Sequence, residues 1–146
     1  MLKNTEFPAM KNALTFGVFD LLHFGHFELF RRIKELIGND GKLIVLLQLD
    51  EWVSKFKDVK LVYPFEIRKQ MLESLRTVDE VIPYTQVCID SIRNIDFDLL
   101  VLGADQKGER FSEVEKWTML HGKQVITLSR TEGISTSKLK EIIKNM

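Results

Sequence analysis

The stretch Leu14-Thr15-Phe16-Gly17-Val18-Phe19-Asp20-Leu21-Leu22-His23-Phe24-Gly25-His26 passes from a short apolar run into two histidines placed around a glycine. Residues 13 to 19 are apolar in the manner of a buried parallel strand, whereas Phe27, Phe30, Ile33 and Ile37 recur at helical spacing. The histidines therefore stand at the N-terminus of a helix. Unpaired backbone N–H groups and the positive end of the helix dipole favour anions there, and Gly25 lets a ligand approach the chain closely. His23 and His26 add side-chain donors at the same place, so the reading is a phosphate site.

The same alternation continues along the chain. Strands are predicted near Leu14–Val18, Leu43–Gln48, Glu80–Pro83, Leu99–Leu102 and Gln124–Leu128, with helices near Phe24–Ile37, Pro64–Leu75, Ile89–Asn94, Glu113–Leu120 and Thr136–Lys144. Strands that alternate with helices pair in parallel through right-handed crossovers. The expected fold is a single-domain, doubly wound (Rossmann-like) α/β structure: five parallel strands with helices on both faces, spanning residues 12–146 behind a polar N-terminal extension, residues 1–11. Ligands of such sheets bind beyond the carboxyl ends of the strands, where the strand order reverses.

A second helix start lies near the C-terminus, in Leu128-Ser129-Arg130-Thr131-Glu132-Gly133-Ile134-Ser135-Thr136-Ser137-Lys138, followed by Leu139, Ile142 and Ile143 on one helical face. Ser135 or Thr136 can cap it, its exposed N–H groups suit an anion, and the Arg130 guanidinium offers a fork to phosphate oxygens. A plain cap needs one hydroxyl; this segment has several. Both motifs follow strands, so the predicted topology brings them to one edge of the sheet.

Composition narrows the class. The chain has 146 residues, 45% hydrophobic and 29% charged, which fits one ordinary globular domain. Its zero formal net charge argues against broad nucleic-acid binding, while leaving room for a local positive pocket. No apolar run approaches the roughly 18 residues that a membrane span needs, and residues 1–11 carry no signal-peptide core. The one cysteine, Cys88, has no internal partner, consistent with a reducing compartment, so a cytoplasmic protein that does not bind membranes is expected. Two histidines without a third ligand at recognisable spacing do not make a zinc site.

Together, H-x-G-H early and R-T-E-G-I-S-T late resemble the cytidylyltransferase branch of the nucleotidyltransferase superfamily, most closely the bacterial glycerol-3-phosphate cytidylyltransferases. The resemblance runs from about Leu14 to Ile143 and includes Arg68-Lys69, Glu73-Ser74-Leu75-Arg76-Thr77-Val78-Asp79-Glu80-Val81-Ile82-Pro83 and Leu102-Gly103-Ala104-Asp105. It implies transfer of CMP from CTP to a phosphorylated alcohol, with glycerol 3-phosphate favoured, giving CDP-glycerol for cell-surface polymer assembly and pyrophosphate. Magnesium is expected to arrive with the triphosphate, and kinship suggests a homodimer, to which apolar positions such as Phe24 or Phe65 could contribute.

By the same resemblance, His23, His26 and Arg130 are the catalytic candidates. Val18, Phe19, Asp20, Gly25, Gly103, Asp105, Arg130, Thr131, Gly133, Ser135 and Thr136 would bind the nucleotide. The acceptor would be met by Asp50 and by cations among Lys55, Lys57, Lys60, Lys69, Arg68 and Arg76, with Lys55, Lys60, Arg68 and Arg76 favoured. Three departures from the family pattern bear on the acceptor: Gln48-Leu49 stands for a small hydroxylic pair, Tyr84-Thr85-Gln86-Val87 replaces a tryptophan-bearing segment, and the lysine loop is one residue longer. CTP use is thus better founded than the choice of acceptor. Another phosphorylated acceptor, such as phosphoethanolamine or phosphocholine, an adenylyltransferase and a non-catalytic nucleotide sensor are the competing readings.

Overall fold

Every strand of the sheet carries two hydrophobic faces, and the side chains sort between them with the period of two that strands impose. The computed structural model describes residues 12–56 and 60–146; the expected extension at 1–11 and Lys57 lie outside the described residues. Strands β1 (Asn12–Gly17), β2 (Lys42–Gln48), β3 (Glu80–Tyr84), β4 (Leu99–Gly103) and β5 (Gln124–Leu128) are all parallel, in the order β3-β2-β1-β4-β5. Leu43, Val45 and Leu47 pack on one face with Phe30, Ile33 and Ile37 of helix α1 (Phe24–Ile37) and Leu72 of α3 (Phe65–Glu73). Ile44 and Leu46 pack on the other with Val114 of α4 (Glu109–Leu120) and with Ile92 and Phe97. Because β1 leads outward through β2 to β3 while β4 leads the opposite way to β5, the order reverses between β1 and β4, and crossovers of one hand put α1 and α4 on opposite faces.

Three elements differ from expectation. Helix α2 (Asp50–Phe56) fills part of the segment read as a lysine loop; it is short and charged, and buries Val53 completely. Helices this short are set by tertiary contact rather than propensity. The expected helix at 89–94 contracts to a 3₁₀ turn, Ile89–Ser91, and α4 starts at Glu109 rather than Glu113, directly after Gly108 with its positive φ of 111°. The final helix, α5 (Thr136–Lys144), matches. No helix of the described residues is long and apolar enough to cross a membrane.

The largest correction concerns Arg68. Expected to grip the acceptor, it lies buried where β1 and β2 end: its Nη1 donates to the carbonyls of Val18 (2.9 Å) and Gln48 (3.0 Å), its Nε to that of Tyr63 (3.1 Å), and its Nη2 pairs with Asp50. Asp50 in turn accepts from the Phe65 N–H at 3.2 Å. Both residues are thus committed to joining the β1 exit, the β2 exit and the approach to α3. Arg68→Met should therefore destabilise the fold by on the order of 3 kcal/mol, since buried carbonyls lose their donor, whereas the half-exposed Asp50 carboxylate can turn to water. Arg68→Lys should restore little, because a point charge cannot replace the fork. Urea denaturation checks both; normal stability of Arg68→Met with a raised acceptor KM would return the guanidinium to substrate binding.

Candidate active site

Beyond Thr15 and Val101 the pairing of β1 with β4 stops, and a cleft of about 460 Å³ opens at the carboxyl edge of the sheet. Volumes of this order accommodate small-molecule ligands. The two motifs, more than a hundred residues apart in sequence, both line it: Val18, Phe19, Asp20, His23, Gly25 and His26 from one side, Arg130, Thr131, Ser135 and Thr136 from the other. The hydroxyl of Thr136 donates to the Leu21 carbonyl at 3.1 Å, fastening the start of α5 to the loop that feeds α1. Gly103 and Asp105, after β4, complete the rim.

The start of α1 depends on close backbone approach. A Cβ at Gly17 would lie 2.3 Å from the ring of Phe19, which folds back over it; Phe19 itself adopts φ 48°, a conformation uncommon for a bulky residue. A Cβ at Gly25 would meet the His23 ring at 2.8 Å. That ring caps the helix: His23 Nδ1 accepts from the Gly25 N–H at 3.0 Å, while His26 Nδ1 accepts from the His23 N–H at 3.3 Å. The sequence therefore builds a capping box from two imidazoles. With both Nδ1 atoms accepting, a neutral ring carries its proton on Nε2, leaving one donor on each histidine for a ligand.

Electrostatics keep the rings neutral. The imidazoles stack 3.8 Å apart, and Phe19 packs edge-on to His26 at 5.1 Å. Burial, then the charge His23 would carry, then Arg130 hold the His26 pKa down to about 3; burial and then Arg130 lower that of His23. Arg130 is paired with Asp105 at 2.6 Å, and Arg32 donates to the Ser129 carbonyl at 3.1 Å, steadying the same turn.

Other expected residues are placed differently. Asp20 borders the cleft, but its carboxylate accepts from the N–H groups of Val62 (2.7 Å) and Tyr63 (2.9 Å) and from Lys140 (3.2 Å). Gly133 does not line the cleft; its φ of 77° shapes the turn before α5. Asp50, Lys55, Lys60 and Arg68 do not line it either, and Lys55 lies over the Trp52 ring at 4.6 Å. Arg76 sits in the turn entering β3, hence at the amino edge of the sheet, opposite the cleft. Of the two apolar positions offered for a dimer contact, Phe65 packs against the core, whereas Phe24 is 56% exposed.

Sequence reading missed Arg32, Gln106 and Lys140, all on the cleft wall. Helical spacing was the available signal for two of them: Arg32 continues the stripe of Gly25 and Leu29, and Lys140 follows Thr136 by one turn. Gln106 bridges the parted strands, its Oε1 accepting from the Gly103 N–H and its Nε2 donating to the Phe16 carbonyl, both at 2.9 Å. An amide does this because it has both a donor and an acceptor.

The model of the cytidylyltransferase-like family matches residues 14–142. The chain is a member of that family. It is 44% identical over 136 residues to glycerol-3-phosphate cytidylyltransferase of Staphylococcus aureus, covering 90% of this chain and 94% of that one. Its identity to the Bacillus subtilis protein of the same name is 40% over 141 residues, 94% of this chain and 100% of the other. An FAD synthase of Korarchaeum cryptofilum is more distant, 32% identical with 92% of each chain covered. Among solved structures, a lipopolysaccharide core biosynthesis protein of Thermoplasma volcanium superposes with a TM-score of 0.70 at 23% identity, over 85% of this chain and 100% of that one, which establishes the shared fold. This cytidylyltransferase-like chain is thus a nucleotidyltransferase in which the helix starts of both motifs face one cleft.

Acid stability tests the neutral imidazole. Below about 6.5 the unfolded chain protonates His26, while the folded chain resists until about 3, so stability falls as pH drops through that window. His26→Asn keeps an acceptor near the Nδ1 position and removes the titration. Wild type should lose up to roughly 1.4 kcal/mol per pH unit more than His26→Asn between pH 6 and 4; denaturant titrations with parallel pH dependence would show a charged or freely titrating ring.

Proposed function

We propose that the protein transfers CMP from CTP to glycerol 3-phosphate, forming CDP-glycerol and pyrophosphate. The observation that carries this reading is the meeting of the H-x-G-H and R-T-E-G-I-S-T helix starts in one cleft, in a chain 40–44% identical to glycerol-3-phosphate cytidylyltransferases over at least 90% of its length. A phosphate oxygen of the acceptor attacks the α-phosphorus of CTP; the new P–O bond forms as the α–β bridge breaks, and pyrophosphate takes the electron pair. The acceptor is largely dianionic at neutral pH, with a second pKa near roughly 6, so no general base is required.

What the protein supplies is alignment and charge stabilisation, the first worth roughly 7–11 kcal/mol in favourable cases and a single preorganised donor roughly 2.7–4 kcal/mol. The Nε2–H groups of His23 and His26, the N-terminal N–H groups of α1 and α5, and the Arg130 guanidinium are the donors for the triphosphate. The rim at Gly103 and Asp105 would receive the nucleoside. The two carboxylates on the cleft wall, Asp20 and Asp105, are already engaged by main-chain N–H groups, Lys140 and Arg130. These groups suit magnesium carried in on CTP, where it offsets phosphate charge, rather than a protein-held ion.

The apolar surface at Phe24 and Phe27 on α1 supports assembly as a homodimer. Consumption of CTP and the free thiol of Cys88 support action in the cytoplasm.

A matrix of the four nucleoside triphosphates against glycerol 3-phosphate, other polyol phosphates, phosphoethanolamine and phosphocholine, read by pyrophosphate release, should give its highest kcat/KM for CTP with glycerol 3-phosphate. Preference for ATP would favour the chemistry of the FAD synthase relatives, and CTP binding without any turnover would make the chain a sensor. His23→Asn, which retains a cap but not the Nε2–H donor, should lower kcat by about 10²–10³-fold with stability little changed.

A further inference from the structure

The cations lining the cleft divide by strand. Arg130 is paired with Asp105 after β4, and Arg32 is bonded to Ser129 after β5, so both serve the nucleotide side. Lys140 alone among the cleft-lining lysines and arginines of the described residues faces the other way, toward the segment that follows β2. Its Nζ lies 3.2 Å from Asp20 Oδ2 and 3.3 Å from the Lys60 carbonyl, and Asp20 is itself clasped by the N–H groups of Val62 and Tyr63. An ammonium has three protons. Two are used by these partners, and the residue still borders the cleft with its side chain 35% exposed.

We propose that Lys140 is a ligand of the acceptor's phosphate, donating its third proton to a phosphate oxygen and holding that oxygen for attack. The inference rests on the acceptor being a phosphate monoester, as in the proposed function. Arg68, buried and fully engaged, and Arg76, on the opposite edge, cannot meet it within the protomer, and Lys55 and Lys60 do not border the cleft. The partners of Lys140 explain its aim. Asp20 compensates its charge before substrate arrives, and the two contacts prevent the flexible stem from sampling the triphosphate cradle at the start of its own helix.

Steady-state kinetics of the full chain with CTP and glycerol 3-phosphate, together with calorimetric titration of CTP alone, tests this. Lys140→Met should raise the acceptor KM on the order of ten- to a hundredfold, leave CTP affinity within about twofold of wild type, and be largely rescued in Lys140→Arg. Should the methionine variant unfold, Lys140→Gln, which can still donate to Asp20 and the Lys60 carbonyl, should show the same split. A rise in CTP dissociation constant with the acceptor KM unchanged would assign Lys140 to the triphosphate, and unchanged values for both substrates would make it purely structural; either overturns the proposal. Failure of wild type to release pyrophosphate with any phosphorylated acceptor is a separate result, and it would overturn the proposed function itself.

Discussion

Main-chain hydrogen bonding runs out on both sides of β1 at the edge where the cleft opens, and two side chains take its place. Arg68 holds the Val18 carbonyl against the end of β2, and Gln106 holds the Phe16 carbonyl against the end of β4. A parted sheet exposes polar groups that water or ligand must otherwise satisfy. Here the guanidinium and the amide satisfy them from within, so the crevice can stay open without leaving the β1 exit loose. The bend that follows, with Phe19 folded over Gly17, delivers the first turn of α1 to the cleft.

That delivery sets the electrostatics. The imidazoles are half-committed: one nitrogen of each ring satisfies the helix start, and the other remains a neutral donor because burial and Arg130 oppose protonation. A neutral donor orients an oxygen without adding another buried charge to be compensated before substrate arrives. Positive charge is supplied at the periphery instead, by guanidiniums and an ammonium that already have acidic or carbonyl partners. The arrangement suits a reaction between two anions, in which attraction must be distributed along the path of displacement rather than concentrated at one end.

Much of this was legible in residue order. The five strands and the main helices follow from hydrophobic period, and the H-x-G-H and R-T-E-G-I-S-T segments announce themselves as capped helix starts because the hydroxyls and imidazoles are local signals. Asp50, Arg68 and Arg76 were not legible in the same way. An arginine beside a phosphate and an arginine beneath a loop have the same neighbours in sequence; only the number of carbonyls within reach tells them apart, and for Arg68 that number is three. Arg76 is separated from the cleft by the direction of β3, which places the turn before the strand at the far edge.

The sequence by itself determined the alternation of elements, the two helix starts rich in imidazoles and hydroxyls and the kind of chemistry they suit, since these depend on neighbours within a few residues. Tertiary structure alone decided which charged groups face the cleft and which are spent inside the fold. A long side chain finds its partners by what other segments bring near it, and Arg68, Gln106 and Lys140 each satisfy atoms from parts of the chain that only folding assembles.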